Sequence, residues 1–234
     1  AFVAQRADRP VVTGELNPVF QGTYSSRIEL KQRTRELEGL LTTAEKLGVV
    51  LRWLGVPVDD ESVWRAWEPM LFNQAHDLMS GVMTDRVCED TIRGFDFSRR
   101  LALEEVGTRL RSYAAQIDTL GEGAATGREG IPVVVFNQLG WTRTDIAFAN
   151  VGFTDEGVTG VQLLDPDGKP VPVQLVRDER DGNGALLRVE IAFVARDVPA
   201  LGHCVYRLLP VTSAEASGEA APTQQDAAVL EKRS

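Results

Sequence analysis

The sequence predicts an α+β multidomain chain: an antiparallel three-helix bundle followed by part of an antiparallel β-sandwich. Two observations carry this expectation. From about residue 25 to 118 apolar residues recur three or four apart, the spacing of one helix face. After a stretch rich in Gly, Ala and Thr at Leu120–Gly130, short apolar segments alternate with turns built from Asp, Asn, Gly and Pro, the pattern of a sandwich.

The first helix opens at Ser26-Arg27-Ile28-Glu29, a capping-box pattern in which Ser26 is the N-cap and Glu29 reaches back to its amide. Leu37, Leu40, Leu41, Ala44, Leu47, Leu51 and Leu54 form its apolar stripe, and Gly55-Val56-Pro57 ends it. Asp59 or Asp60 caps a second helix, with Val63, Trp64, Trp67, Leu71, Ala75 and Leu78 on its buried side and Gly81 as the stop. Pro69 removes an amide donor and crowds the preceding turn, so a kink is expected near Arg65–Glu68. The third helix starts at Thr84, with Asp85 in its first turn. It keeps phase through Val87, Thr91, Phe95, Ser98, Ala102, Val106, Leu110, Tyr113 and Ile117. Short connections between striped helices imply antiparallel neighbours.

Strands are expected at Ile131–Phe136, Thr144–Val151, Gly160–Leu164, Val171–Arg177, Leu186–Ala195 and His203–Leu208. Asn137–Gly140, Asp165-Pro166-Asp167-Gly168 and Asp181-Gly182-Asn183-Gly184 are the turn signals between them. With no helical period between strands, the sheet is antiparallel rather than parallel. The domain plan is a helical domain at 23–119, a linker at 120–130, a β domain at 131–211 and a flexible, small and polar tail at 212–234.

Composition narrows the function. Hydrophobic content of 43% and charged content of 25% are those of a globular protein, and 234 residues suffice for one large domain or two modest ones. A net charge of −9 argues against general nucleic-acid binding, which needs a basic face. No apolar run is long enough to span a bilayer, and Ala1–Arg6 lacks the features of a signal peptide. Cys88 and Cys204 match no metal spacing and read as reduced thiols, which points to a cytoplasmic setting.

The most chemically loaded stretch is Asn73-Gln74-Ala75-His76-Asp77-Leu78-Met79-Ser80-Gly81. It places one of only two histidines beside a carboxylate, just before a glycine stop. An imidazole binds metals and a neighbouring aspartate orients polar ligands, yet no nearby His, Cys or Asp supplies the remaining ligands. On residue chemistry alone, a packed or solvent-facing histidine is the commoner outcome. Asp77 would stand at a helix C-terminus, where the macrodipole disfavours a carboxylate. His203 and Cys204 alternate across a strand and read as structural, as do Trp64 and Trp67, which suit core packing better than sugar stacking. Asp59–Glu61 reads as a cap on a solvated face. No nucleotide loop, catalytic serine motif or paired-cysteine metal motif is present in the sequence.

Several segments together resemble one family. Gly14-Glu15-Leu16-Asn17-Pro18-Val19-Phe20-Gln21-Gly22-Thr23-Tyr24-Ser25-Ser26-Arg27 resembles the passage from the catalytic barrel to the helical middle domain in glycoside hydrolase family 38 α-mannosidases. Asn73–Gly81 resembles that domain's Asn-Gln-x-His-Asp signature. Pro132–Trp141, Val198–Gly202 and Val229-Leu230-Glu231 have counterparts in the family's β-rich region, so the resemblance runs from about Thr13 to Leu209 with a faint return at Val229. Ala75 stands where several relatives carry a second His, and Pro69 is unusual in this helix.

The resemblance implies retaining hydrolysis of terminal α-mannosides of glycans through a covalent mannosyl-enzyme. It implies a zinc ion at the junction of an N-terminal α/β barrel and the helical domain. His76 is then a metal ligand and Asp77 a contact to the bound sugar. The nucleophile, the acid/base and the other metal ligands belong to the barrel, of which residues 1–22 would be the end and the connection. This stretch alone is then expected to be an inactive fragment, whose partners are an α-mannoside glycan and its own catalytic barrel. The apolar surface meant for the barrel favours a homo-oligomer. The alternative is a non-catalytic helical and β module for binding or assembly.

Overall fold

The computed structural model describes residues 11–14, 16, 19–119 and 130–212, which divide into two compact units, Ala1–Tyr113 and Ala114–Ser234. Most of the expected passage at 1–22, the linker at 120–130 apart from Gly130, and the tail beyond Thr212 lie outside the described residues. None of the described helices is long and apolar enough to cross a membrane.

In the first unit a short 3₁₀ turn, Thr23–Ser25, leads into α1 (Ile28–Trp53), α2 (Glu61–Phe72), α3 (His76–Ser80) and α4 (Asp85–Ala114). The three long helices share one core: Leu30, Leu37, Leu41 and Ala44 from α1, Val63, Ala66 and Met70 from α2, Phe95 and Ala102 from α4. The stripe of α1 is buried as its spacing predicts at Leu37, Leu41, Ala44, Leu47 and Leu51, with Leu40 half-buried, while Leu54 lies beyond the helix and is exposed.

Three local expectations are corrected. The capping box at Ser26 does not form: Arg27, with φ of +48°, precedes α1 and no side chain caps it. Other contacts, two local and one tertiary, have taken these residues. The Ser26 carbonyl accepts from Lys31 Nζ, the Arg27 guanidinium donates to Asp85 Oδ1 at 2.8 Å, and Glu29 pairs with Arg33. On α2 the buried stripe is Val63, Ala66 and Met70, so Leu71 and Trp64 face outward, Trp64 with 60% of its surface exposed. Trp67 does pack against the core, and its indole N–H donates to Glu45 on α1 at 3.1 Å, the polar handle finding a partner at the rim. Finally, helix α2 continues past Pro69 and ends at Phe72. Its interruption falls at Asn73–Ala75, so the expected long second helix is two, α2 and α3.

Asp59 and Asp60 divide the work at the start of α2. Asp59 Oδ1 accepts the Glu61 amide at 2.9 Å, whereas Asp60 turns to two arginines, Arg52 and Arg109. Arg109, on α4, is buried, with only 3% of its side chain exposed. Its Nη1 donates to the Ala44 carbonyl of α1 at 2.8 Å and its Nη2 to the Asp59 carbonyl at 2.7 Å. Nε pairs with Glu105 one turn away at 3.1 Å. Space for the guanidinium exists because Gly48 on α1 has no side chain: a Cβ there would lie 2.3 Å from Nη1.

The second unit is a sandwich of two antiparallel sheets. Its strands are β1 (Ile131–Phe136), β2 (Arg143–Gly152), β3 (Val158–Leu164), β4 (Pro170–Val171), β5 (Val173–Arg180), β6 (Leu186–Val198) and β7 (His203–Thr212). One sheet has the order β1-β7-β3-β4 and the other β2-β6-β5. Leu163, Tyr206 and Leu208 of the first sheet meet Val189, Ile191 and Phe193 of the second in one core, where the Phe193 and Tyr206 rings are 5.0 Å apart. The buried Tyr206 hydroxyl accepts the Arg196 amide at 3.1 Å, which joins the sheets by a hydrogen bond as well as by packing. Burial pushes the Tyr206 hydroxyl pKa up, against the lowering effect of that bond.

Both Asp-led turns form as predicted. Asp165 Oδ1 accepts the amides of Asp167 and Lys169, Asp181 Oδ1 accepts those of Asn183 and Ala185, and Gly168 and Gly184 supply the positive φ. The strand expected at Val171–Arg177 is divided. Pro172, which has no N–H for a ladder, separates β4 in one sheet from β5 in the other. Asn137 closes one end of the sandwich: its Nδ2 reaches the carbonyls of Trp141, Val198 and Pro199 at 2.7 to 3.1 Å, while its Oδ1 accepts the Leu139 amide at 3.0 Å. Cys204 packs against the sandwich core, and desolvation raises its thiol pKa. His203, its neighbour, is lowered by the same cause.

Two measurements check the Arg109 cluster. Arg109→Met leaves the Ala44 and Asp59 carbonyls without this donor and Asp60 with Arg52 alone, and should cost about 3 kcal/mol in denaturant unfolding. Gly48→Ala, by crowding the guanidinium, should cost about 1–3 kcal/mol. Stability should also fall in acid through Asp60. Desolvation pushes its carboxyl up, but the hydrogen bonds and charges of Arg52 and Arg109 outweigh that and hold its pKa below the ordinary value. A depressed carboxylate stabilises above its unfolded pKa and loses that contribution as pH falls through the folded value. Asp60→Asn should therefore be less stable than the parent at pH 7, with the gap closing below about pH 4. Parallel stability curves for the two would refute this.

Candidate functional site

The stretch that stood out in the sequence forms the corner between α2 and α4. The α2 ladder ends with the Asn73 amide donating to the Pro69 carbonyl at 3.1 Å, and Gln74 tightens the exit with a bond to the Leu71 carbonyl at 3.1 Å. Ala75 is extended, with φ of −51° and ψ of 141°, and its carbonyl accepts from both Leu78 and Met79 at 3.0 Å, which starts α3. Gly81, with φ of +81°, ends α3 as a left-handed cap, and a short non-helical link leads to α4 at Asp85.

This route sorts the side chains. Met79 packs against the helical core, and Thr34 Oγ1 lies 3.6 Å from its sulfur. Gln74 Nε2 reaches Met70 Sδ at 3.3 Å and Glu38 at 3.5 Å. Asn73 is buried, only 8% exposed. His76 and Asp77 project from the first turn of α3, their side chains 93% and 74% exposed, with His76 Nε2 3.2 Å from Asp77 Oδ1. Asp77 therefore does not sit at the C-terminal end of a helix, as the sequence pattern suggests. Because the helix restarts after Ala75, the carboxylate stands in a first turn, where the macrodipole favours it.

The pair is polar, exposed and adjacent, and it lacks company. Among the described residues no group of three or more His, Cys, Asp or Glu could hold a metal ion. The donor set thus fits one face of a metal or sugar site, an imidazole nitrogen and a carboxylate, and does not by itself fit a closed metal centre. His203 and Cys204 lie on β7, in the other unit.

Sequence reading missed how this corner is held. Gly94 lies inside α4, where a Cβ would come within 2.7 Å of Asn73 Nδ2, and a Cβ on Gly81 would come within 3.2 Å of the Ser26 carbonyl. The glycine inside an otherwise regular helical pattern was the available signal, since such a position costs about 1 kcal/mol against alanine without a packing reason.

Residues 18–101 match a family model described as the alpha mannosidase middle domain. Among curated proteins, Alpha-mannosidase 2C1 of Mus musculus is 28% identical over 127 residues, 53% of this chain and 11% of that protein. Two solved structures share the fold over 90% of this chain and 28% of their own. One is an alpha-mannosidase from Enterococcus faecalis V583, with a TM-score of 0.64 at 19% identity. The other is a glycosyl hydrolase family 38 protein from Enterococcus faecalis, with a TM-score of 0.65 at 20% identity. The chain spans about a tenth of the curated relative and under a third of each solved structure.

Proposed function

We propose that the chain, whose residues 18–101 match the alpha mannosidase middle domain, serves a retaining, metal-dependent α-mannosidase of glycoside hydrolase family 38. The observation that carries the reading is the exposed His76–Asp77 pair, which lies within the matched residues and points away from the helical core. His76 supplies one ligand to a zinc ion, and Asp77 accepts hydrogen bonds from hydroxyls of the mannose at the cleavage site. The buried face of the same corner, Asn73 and Met79, keeps both groups on a packed scaffold. Zinc, when bound, grips sugar hydroxyls and assists distortion of the ring. The nucleophile and the acid/base come from a catalytic barrel supplied by other residues of the longer protein, so this stretch alone hydrolyses nothing. The substrate is a terminal α-mannoside of a glycan, and the setting is cytoplasmic.

Two variants test the assignment in the longer enzyme. His76→Ala should remove zinc, read by metal analysis, together with activity. Asp77→Asn should leave zinc in place and lower kcat/KM about 10- to 100-fold, the worth of a charge-assisted hydrogen bond of about 1.5–3 kcal/mol. Unchanged metal content and activity in His76→Ala would refute the proposal. So would measurable α-mannosidase turnover by the 234-residue chain alone.

A further inference from the structure

Building on the reading of His76 as a ligand and Asp77 as a sugar contact, we propose that Asn73 is a positioning residue. Its side chain, seated where α4 lacks a Cβ at Gly94, sets where α2 stops and hence how His76 and Asp77 are presented.

The geometry separates Gly94 from most other helical glycines. A Cβ on Gly39 would meet nothing within 4 Å, and one on Gly107 would make ordinary contact at 3.5 Å. Gly94 has no positive φ, so conformational freedom does not explain it. Space does: the Asn73 amide occupies the volume that a side chain would take. Asn73 is also the residue whose amide makes the last α2 bond to Pro69, so its side chain docks on α4 at the point where helical bonding ceases. At the other end of the corner, Gly81 is buried against Ser26. Between these two fixed points the chain has room for one short helix, and His76 and Asp77 form its exposed first turn. A shift at Asn73 is three residues from His76 and cannot be absorbed by a long flexible loop.

The test uses the two histidines, one in each unit, as spectroscopic reporters in the 234-residue chain. Imidazole ring signals are recorded by NMR for the parent, Asn73→Ala, Gly94→Ala and Gly48→Ala. Asn73→Ala introduces no clash and keeps the measurement informative should Gly94→Ala fail to fold. Gly48→Ala crowds Arg109 instead and controls for general loss of stability. Asn73→Ala and Gly94→Ala should move or broaden the His76 signals while those of His203 stay, and Gly48→Ala should lower stability with both histidines unmoved. In the longer enzyme Asn73→Ala should weaken zinc affinity about 10- to 100-fold, the usual scale for residues that orient a ligand, and Gly48→Ala should not. His76 signals that superimpose on the parent in Asn73→Ala, or that move as far in Gly48→Ala, would overturn the proposal. If His76 responds as expected but His76→Ala leaves the zinc content of the longer enzyme intact, the positioning role stands and the metal role falls.

Discussion

The helical unit depends on a charge that has been taken out of water. A buried guanidinium is tolerable only when acceptors replace its hydration, and Arg109 finds them in Glu105, in the carbonyls of Ala44 and Asp59, and in Asp60. These acceptors come from α4, from α1 and from the connection that starts α2, so one side chain fixes the register of all three. The absence of a side chain at Gly48 makes that arrangement possible. An apolar residue at 109 would pack with many registers, whereas a fork of donors accepts few.

The same helix, α4, makes two further contacts. Gly94 stands about four turns before Arg109 on α4, and Asp85 lies about two and a half turns earlier still. The first receives Asn73 and the second receives Arg27. The corner that exposes His76 and Asp77 is therefore bounded by contacts to α4 that do not involve Arg109. This accounts for a polar pair that is nearly fully exposed yet lies on a packed corner, with Asn73 beneath it on one side and Met79 on the other. It also accounts for the chemistry available: an imidazole and a carboxylate stand side by side and face outward.

The β unit solves a different problem, the closing of two sheets around one core. Tyr206 does this with both ends of its side chain, its ring against Phe193 and its hydroxyl on the Arg196 amide. Asn137 ties the β1 exit to the turn before β7 by donating to carbonyls of Trp141, Val198 and Pro199. Pro172 releases the chain from one sheet and lets it enter the other.

What the sequence determined by itself was whatever depends on neighbours a few residues away. The α1 stripe, the change of period after residue 119, the two Asp-led turns and the unusual pairing of His76 with Asp77 were all readable, because side-chain direction and turn chemistry are local properties. Tertiary structure decided the rest. Trp64 rather than Ala66 looked like the buried residue of α2, but the small alanine and the flexible Met70 face the core. Ser26 looked like a cap, but Arg27 is held by Asp85, which is 58 residues away. Arg109 gave no sign of burial, since its acceptors lie 49 to 65 residues distant apart from Glu105. The single helix expected to run to Gly81 became two for the same reason: Asn73 meets Gly94 across the unit, and no periodicity within either segment encodes that meeting.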